Sequence, residues 1–123
     1  MPKIQQFEDL QVWQKARQLT NAIDDLASKP RFASDSYLRN QIRSAAGSVM
    51  HNIAEGFDAG SAPEFTRFLK MARRSASEVQ SELDQALDRK YITEEEHQRA
   101  YELASEVKRL INGLITHLRN RKA

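Results

Sequence analysis

The sequence predicts an all-α protein, an antiparallel up-down four-helix bundle. Three observations carry that prediction. Gly and Pro are scarce and sit near breaks, at Pro30, Gly56, Gly60 and Pro63, which cut the chain into four pieces. Within each piece apolar residues recur every three or four positions, the spacing of one helix face. Few windows are rich in β-branched residues, and none alternates with the period of a half-buried strand.

The first helix is expected over about 8–28, with Val12 or Trp13, Ala16, Leu19, Ile23 and Leu26 as its stripe. Glu8 and Asp9 suit a helix N-terminus, where backbone N–H groups lack partners. Phe7 just before it can act as a staple. Lys29-Pro30 stops this helix, because Pro disfavours helical geometry in the residue before it. The second is expected over about 35–57, capped by Ser34 or Asp35 and carrying Leu38, Ile42, Ala45, Val49 and Ile53. Gly56 or Gly60 ends it, and Gly56 is the reading preferred.

The third helix, over about 62–89, opens with a capping-box pattern, Ser61-Ala-Pro-Glu64. Its stripe is Phe65, Leu69, Ala72, Ala76, Val79, Leu83 and Leu87. The fourth, over about 94–119, opens with a second box, Thr93-Glu-Glu-Glu96. Tyr101, Ala104, Val107, Ile111, Leu114 and Leu118 form its stripe. Gly113 in its interior costs up to ~1 kcal/mol against Ala and is read as a close helix contact. Short loops favour antiparallel neighbours.

A chain of 123 residues is most simply one domain, 1–123. At this size roughly two-thirds of the unfolded surface is buried, so a monomer is feasible and association would help it. Cys is absent, which excludes disulfides, thiol nucleophiles and Cys-ligated metal. That fits a reducing compartment, and a cytoplasmic location is expected. Neither a signal-peptide run nor a stretch near the ~20 apolar residues of a membrane span occurs. The formal charge is only +2, with 19 basic residues against 17 acidic ones, and the pI is about 9.0.

Nothing predicts catalysis or a cofactor. His51, His97 and His117 lie on different segments, and neither HExxH nor a Glu-x-x-His pair occurs. No Gly-rich phosphate loop appears, and Ser75 and Ser77 have no His at a useful spacing. A metal enzyme built on His51 and Glu55 is the weakest class. More informative is the string Asn52-Ile-Ala-Glu55-Gly56. At roughly 100° per residue, Gln41, Ser48, Asn52 and Glu55 share one flank of the second helix's stripe. Ser75 and Glu82 flank the third helix similarly, with Glu78 further round. The flank is either a solvated edge or intrachain hydrogen bond, or a subunit seam whose polar pairs fix register.

Arg67, Lys70 and Arg74 share the outer face of the third helix, with Arg73 nearer its flank. Arg39 and Arg43 sit one turn apart on the second helix, and Arg119, Arg121 and Lys122 close the chain. The rest of helix three is acidic: Glu78, Glu82, Asp84 and Asp88. Clustered cations suit phosphate contacts that read backbone rather than base sequence. A solvated, solubilising face is the plain alternative. Aromatic interleaving is slight, so a stacking platform is not expected.

These residues resemble a family, the four-helix-bundle proteins encoded in intervening sequences of bacterial 23S ribosomal RNA genes, and their free-standing relatives. The resemblance runs from FEDLQVWQKA through YLRNQIRSAAGSVMHNIAEG, EFTRFLKMARRSASEVQSEL and YITEEE to LINGLITHL. It implies a ring-shaped homopentamer with no cofactor and a largely undefined role. Some relatives resemble accessory proteins of diversity-generating retroelements, which work with a reverse transcriptase and bind nucleic acid through a basic surface. The family motif falls on Gln41, Asn52, Glu55, Gly56, Ser75 and Glu78. Arg74 departs from it: a small residue, usually Gly, precedes the Ser there, and Arg74 replaces a close backbone contact with a cation. The expected function is a non-enzymatic homo-oligomer that contacts RNA or DNA through Arg39, Arg43, Arg67, Lys70, Arg73 and Arg74. The alternative is a protein-binding adaptor or scaffold without a nucleic-acid role.

Overall fold

The computed structural model describes residues 3–121. Its helices are α1 (Gln11–Ala27), α2 (Pro30–Ser34), α3 (Ser36–Asp58), α4 (Ala62–Asp88) and α5 (Glu94–Asn120). Among the described residues there is no strand. Four long helices run alternately up and down, and each packs on two neighbours around the ring α1–α3–α4–α5. Polar contacts mark the seams. Lys15–Glu106 ties α1 to α5, Lys29–Glu96 ties the α1–α2 connection to α5, and Thr20 donates to the Ala46 carbonyl across α1 and α3.

The predicted stripes form the core. Leu19, Ile23, Leu38, Ile42, Ile53, Leu69, Leu83 and Ile111 are fully buried. Leu26, Leu87, Tyr101 and Leu114 are only partly buried and pack on its margin.

The ends of the first helix differ from expectation. Glu8 and Asp9 belong to a separate 3-10 turn, Phe7–Asp9. There the Asp9 carboxylate accepts the backbone N–H groups of Gln5 and Gln6, and α1 begins only at Gln11. Phe7 packs on Trp13, ring centroids 5.4 Å apart. Beyond Ala27, Pro30 does more than stop a helix. Lys29 is extended, and Pro30 opens α2, since a missing N–H costs nothing in a first turn. This short helix drops Phe32 into the core, where it is fully buried and packs on Tyr91 at 5.4 Å.

Asp35 caps α3 by accepting the Leu38 N–H. Its second oxygen accepts Arg89 and the Tyr91 hydroxyl, both at 2.8 Å. The Leu38 N–H first, then the Tyr91 hydroxyl, hold this carboxyl below its ordinary range. Tyr91 is thus engaged within the chain.

Gly56 does not end α3. The helix runs on to Asp58, and the turn is made by Gly60 at φ +86°. Gly56 is buried at a close crossing instead. A Cβ there would lie 2.8 Å from Phe68 Cβ and 2.9 Å from Phe65 Cδ1. Gly113 is the opposite correction: it is exposed, and a Cβ would meet nothing within 4 Å. The α4–α5 turn is a Schellman motif, with Tyr91 N–H donating to Ala86 and Lys90 N–H to Leu87. Lys90 takes the left-handed position, φ 61°, that Gly usually fills.

Candidate functional site: the α3–α4 groove and the outer face of α4

The Asn52 side of α3 packs against α4, and the polar residues there bond first to one another. Asn52 is buried and donates to the Ser48 carbonyl at 2.9 Å and to Ser48 Oγ at 3.0 Å. Ser75, also buried, donates to Ser48 Oγ at 3.0 Å. Asn52 and Ser75 are therefore joined through Ser48 across the two helices. Gly56 continues this line one turn on, where Phe65 and Phe68 press against its backbone.

The other three motif residues lie on the open side. Gln41 is exposed and donates to the Tyr37 hydroxyl at 2.9 Å. Glu55 is exposed, 3.7 Å from His51 of its own helix. Glu78 is exposed without a bonded partner among the described residues. The motif thus divides into an internal half and a surface half.

Two buried polar residues of α4 lie outside the candidate set. Gln80 donates to Ser105 Oγ and the Tyr101 carbonyl, and its Oε1 accepts Lys108 at 3.0 Å. It is the α4–α5 counterpart of the Ser48–Ser75 contact. The sequence signal was a polar residue beside the stripe, with Ser105 and Lys108 one turn apart on the facing helix. Glu82, placed on the flank by its spacing, is buried, and its Oε1 has no hydrogen-bond partner. Burial first, and the nearby Glu78 charge second, push its carboxyl up to about 7.

That shift sets a pH dependence. Glu82 holds its proton up to about 7 in the fold, but only to about 4.3 in an unfolded chain. Between those values the native state binds more protons, so stability from this group is complete below pH ~4 and is lost as pH rises through 7. Glu82→Gln is expected to stabilise the subunit by about 1–2 kcal/mol at pH 8, allowing for solvent at the groove's open side, and by nothing at pH 4. Urea unfolding at both pH values checks this; an equal gain at both contradicts it.

The basic residues separate into two groups. Arg43 pairs with Asp24 of α1 at 3.3 Å, and Arg39 donates to the Ala33 carbonyl at 2.8 Å. The Ser48–Ser75 bond sets the register, so Arg39 stands level with Asp84, about 25 Å along the bundle from Arg67 at ~1.5 Å per residue. The second group lies on the first half of α4. Arg67 pairs with Glu64 and covers the Phe68 ring at 4.5 Å. Arg73 turns to Asn112 of α5 at 2.7 Å. Lys70 and Arg74 are exposed and have no side-chain partner among the described residues. Lys70 shares a small cleft with Arg119 from the end of α5. Lys122 lies outside the described residues.

Among the described residues no three His, Asp or Glu side chains group as metal ligands. His97 bonds Asp84 at 2.7 Å, bridging α5 and α4. No described helix is long and apolar enough to cross a membrane.

The sequence profile of the 23S rRNA-intervening sequence protein family matches residues 8–113. This chain belongs to that family. The match takes in all four long helices of the intervening-sequence fold but for the last turns of α5. A solved structure of a protein of unknown function, from the S23 ribosomal protein family of Bacteroides thetaiotaomicron, is similar in fold, with a TM-score of 0.77. It is 23% identical, and the alignment covers 85% of this chain and 97% of that one. No curated protein matches. For an intervening-sequence protein, the Ser48–Asn52–Ser75 contact and the Gly56 crossing are packing features. Among the described residues, Lys70, Arg74 and Glu82 are left without a side-chain partner.

Proposed function

We propose that this intervening-sequence family protein is a non-enzymatic homo-oligomer, assembled as a ring of five, that contacts RNA or DNA backbone through the outer face of α4. The observation that carries the nucleic-acid reading is that Lys70 and Arg74 are exposed without acceptors among the described residues, beside Arg67 and Arg119. Cations left unpaired on one face suit phosphates, which need charge and spacing rather than base-edge geometry. Arg39, Arg43 and Arg73 already serve partners within the chain and contribute less.

The test is gel retardation of RNA and duplex DNA at ~50 mM salt, where phosphate-driven binding is strongest. Lys70→Glu with Arg74→Glu is expected to weaken binding at least tenfold and to flatten its salt dependence. A wild-type protein that retards neither nucleic acid at that salt sinks the reading. The ring rests on the family resemblance and the small subunit. A 14.1 kDa monomer at micromolar concentration, by sedimentation or mass photometry, refutes it.

One observation favours the adaptor reading. A cleft of about 540 Å³ opens at the end of the bundle, walled by Leu10, Phe57, Phe65 and Leu114. Ile4, half exposed, stands at it. An apolar cleft of this kind suits a protein segment better than a phosphate. One protein recovered stoichiometrically after nuclease treatment would support that role.

A further inference from the structure

At the end of the bundle opposite Phe32, the start of α1, the end of α3, the start of α4 and the last turns of α5 meet around the cleft of about 540 Å³. That volume falls in the ~300–1,000 Å³ range of sites that hold one small molecule. Its walls are apolar: Leu10 from the N-cap of α1, Phe57 from α3, Phe65 from α4 and Leu114 from α5. Leu10 and Phe65 belong to the core, whereas Phe57 and Leu114 are only partly buried. Phe57 and Phe65 meet edge to face, ring centroids 6.0 Å apart, so the packing of α3 on α4 holds this wall in place.

The face of α5 that lines the cleft changes character toward its end. Leu114, His117, Leu118 and Arg121 follow the three- and four-residue spacing of one helix face, and all four line the cleft. His117 and Arg121 are exposed, and neither side chain has a partner among the described residues. They are one turn apart, about 5–6 Å between Cβ atoms. None of the residues lining the cleft is Asp or Glu. Glu64, in the first turn of α4, is already paired with Arg67. A cation in a last turn complements the helix dipole, but Arg119 does that from the other cleft, which it shares with Lys70. Ser61, at the start of α4, adds a hydroxyl. Its oxygen accepts the Glu64 N–H, which leaves its proton to donate.

We propose that this cleft binds a small amphipathic carboxylate, a single apolar chain that ends in one carboxylate group. The chain lies against Phe57, Phe65 and Leu114. The carboxylate accepts from the Arg121 guanidinium, whose forked N–H groups match its two oxygens, and from a ring N–H of His117. The inference goes beyond the adaptor reading, which draws on the apolar wall alone. The basic rim calls for a negative head beside that wall, and the compact volume suits one small molecule better than an extended segment.

The two halves of the site make separable demands. Each CH₂ taken up by the apolar wall should tighten binding by roughly two- to fourfold, the larger figure being full burial. The rim should matter to the carboxylate and not to the same chain ending in a hydroxyl, because only the charged head forms a charge-assisted hydrogen bond with Arg121.

NMR titration of the isotope-labelled full chain with hexanoate, octanoate, decanoate and decanol, each below its micelle or solubility limit, tests the proposal. Decanoate is expected to saturate at one molecule per subunit, with shifts centred on Phe57, Phe65 and Leu114. The dissociation constant should fall at least about tenfold from hexanoate to decanoate. His117→Gln with Arg121→Gln, two exposed positions whose exchange leaves the core intact, should weaken decanoate at least about fivefold and decanol less than about twofold. Leu114→Glu sets a like charge in the wall and should weaken decanoate at least about tenfold. Non-saturating shifts spread over the surface, or affinity indifferent to chain length, overturn the site. An equal effect of the double exchange on decanoate and decanol overturns the role of the rim, and with it the carboxylate.

Discussion

Gly56→Ala is expected to destabilise the bundle by about 2 kcal/mol, and Gly56→Val by about 3 kcal/mol or more. In a solvent-facing helix the first change would help, since Ala is the better helix former by ~1 kcal/mol. Here the new methyl would stand 2.8 Å from Phe68 Cβ and 3.3 Å from the Phe65 carbonyl oxygen. Neither atom is the free end of a flexible side chain. Both move only with the α4 backbone, so α3 and α4 must separate along their whole crossing. Gly113→Ala is the matched control: with nothing within 4 Å of the added atom, it should stabilise by up to about 1 kcal/mol. Urea unfolding of both variants checks the pair. Opposite signs are expected, and a stabilising Gly56→Ala would show that the helices are not in close contact there.

Phe32→Ala is expected to cost about 3–5 kcal/mol, a large part of the stability of a domain this size. Phe32 is the largest fully buried side chain, although it comes from a helix of only five residues. It fills the end of the bundle beneath Tyr91, whose hydroxyl reaches Asp35. Truncation would leave a void that this end cannot close without disturbing the Asp35 cap of α3. Phe32→Leu should recover more than half of the loss. Thermal or urea unfolding reads both, and a Phe32→Ala midpoint within ~1 kcal/mol of wild type would mean that α2 contributes little to the core.

The four long helices were legible because each repeats its apolar spacing over four or more turns, and because Thr93 and Ser61 begin two of them with capping patterns. α2 was not. Five residues are too few for a period to register, and Pro30 reads equally well as a stop or a start. Gly56 and Gly113 show what a single strand of text leaves out. A glycine after an apolar stripe can end a helix or admit a neighbour, and Phe65 and Phe68, on another helix, decide which. The site was legible in part for the same reason. The spacing put Gln41, Asn52, Ser75 and Glu82 on flanks, but whether a flank is covered depends on the facing helix. Likewise, the outward direction of the arginines was readable. That Asp24 engages Arg43 and Asn112 engages Arg73, while Lys70 and Arg74 are left alone, emerges only when the helices are assembled.

Ile4 and Arg121 line the same cleft at one end of the bundle. The described chain therefore enters and leaves on the same side, and a short tether could join these points without moving a helix. Connectivity and packing are separable in such an arrangement. The order in which the helices are strung could be cyclically rewritten, with new ends opened at the exposed turn around Gly60, while the core, the Gly56 crossing and the groove around Glu82 keep their neighbours.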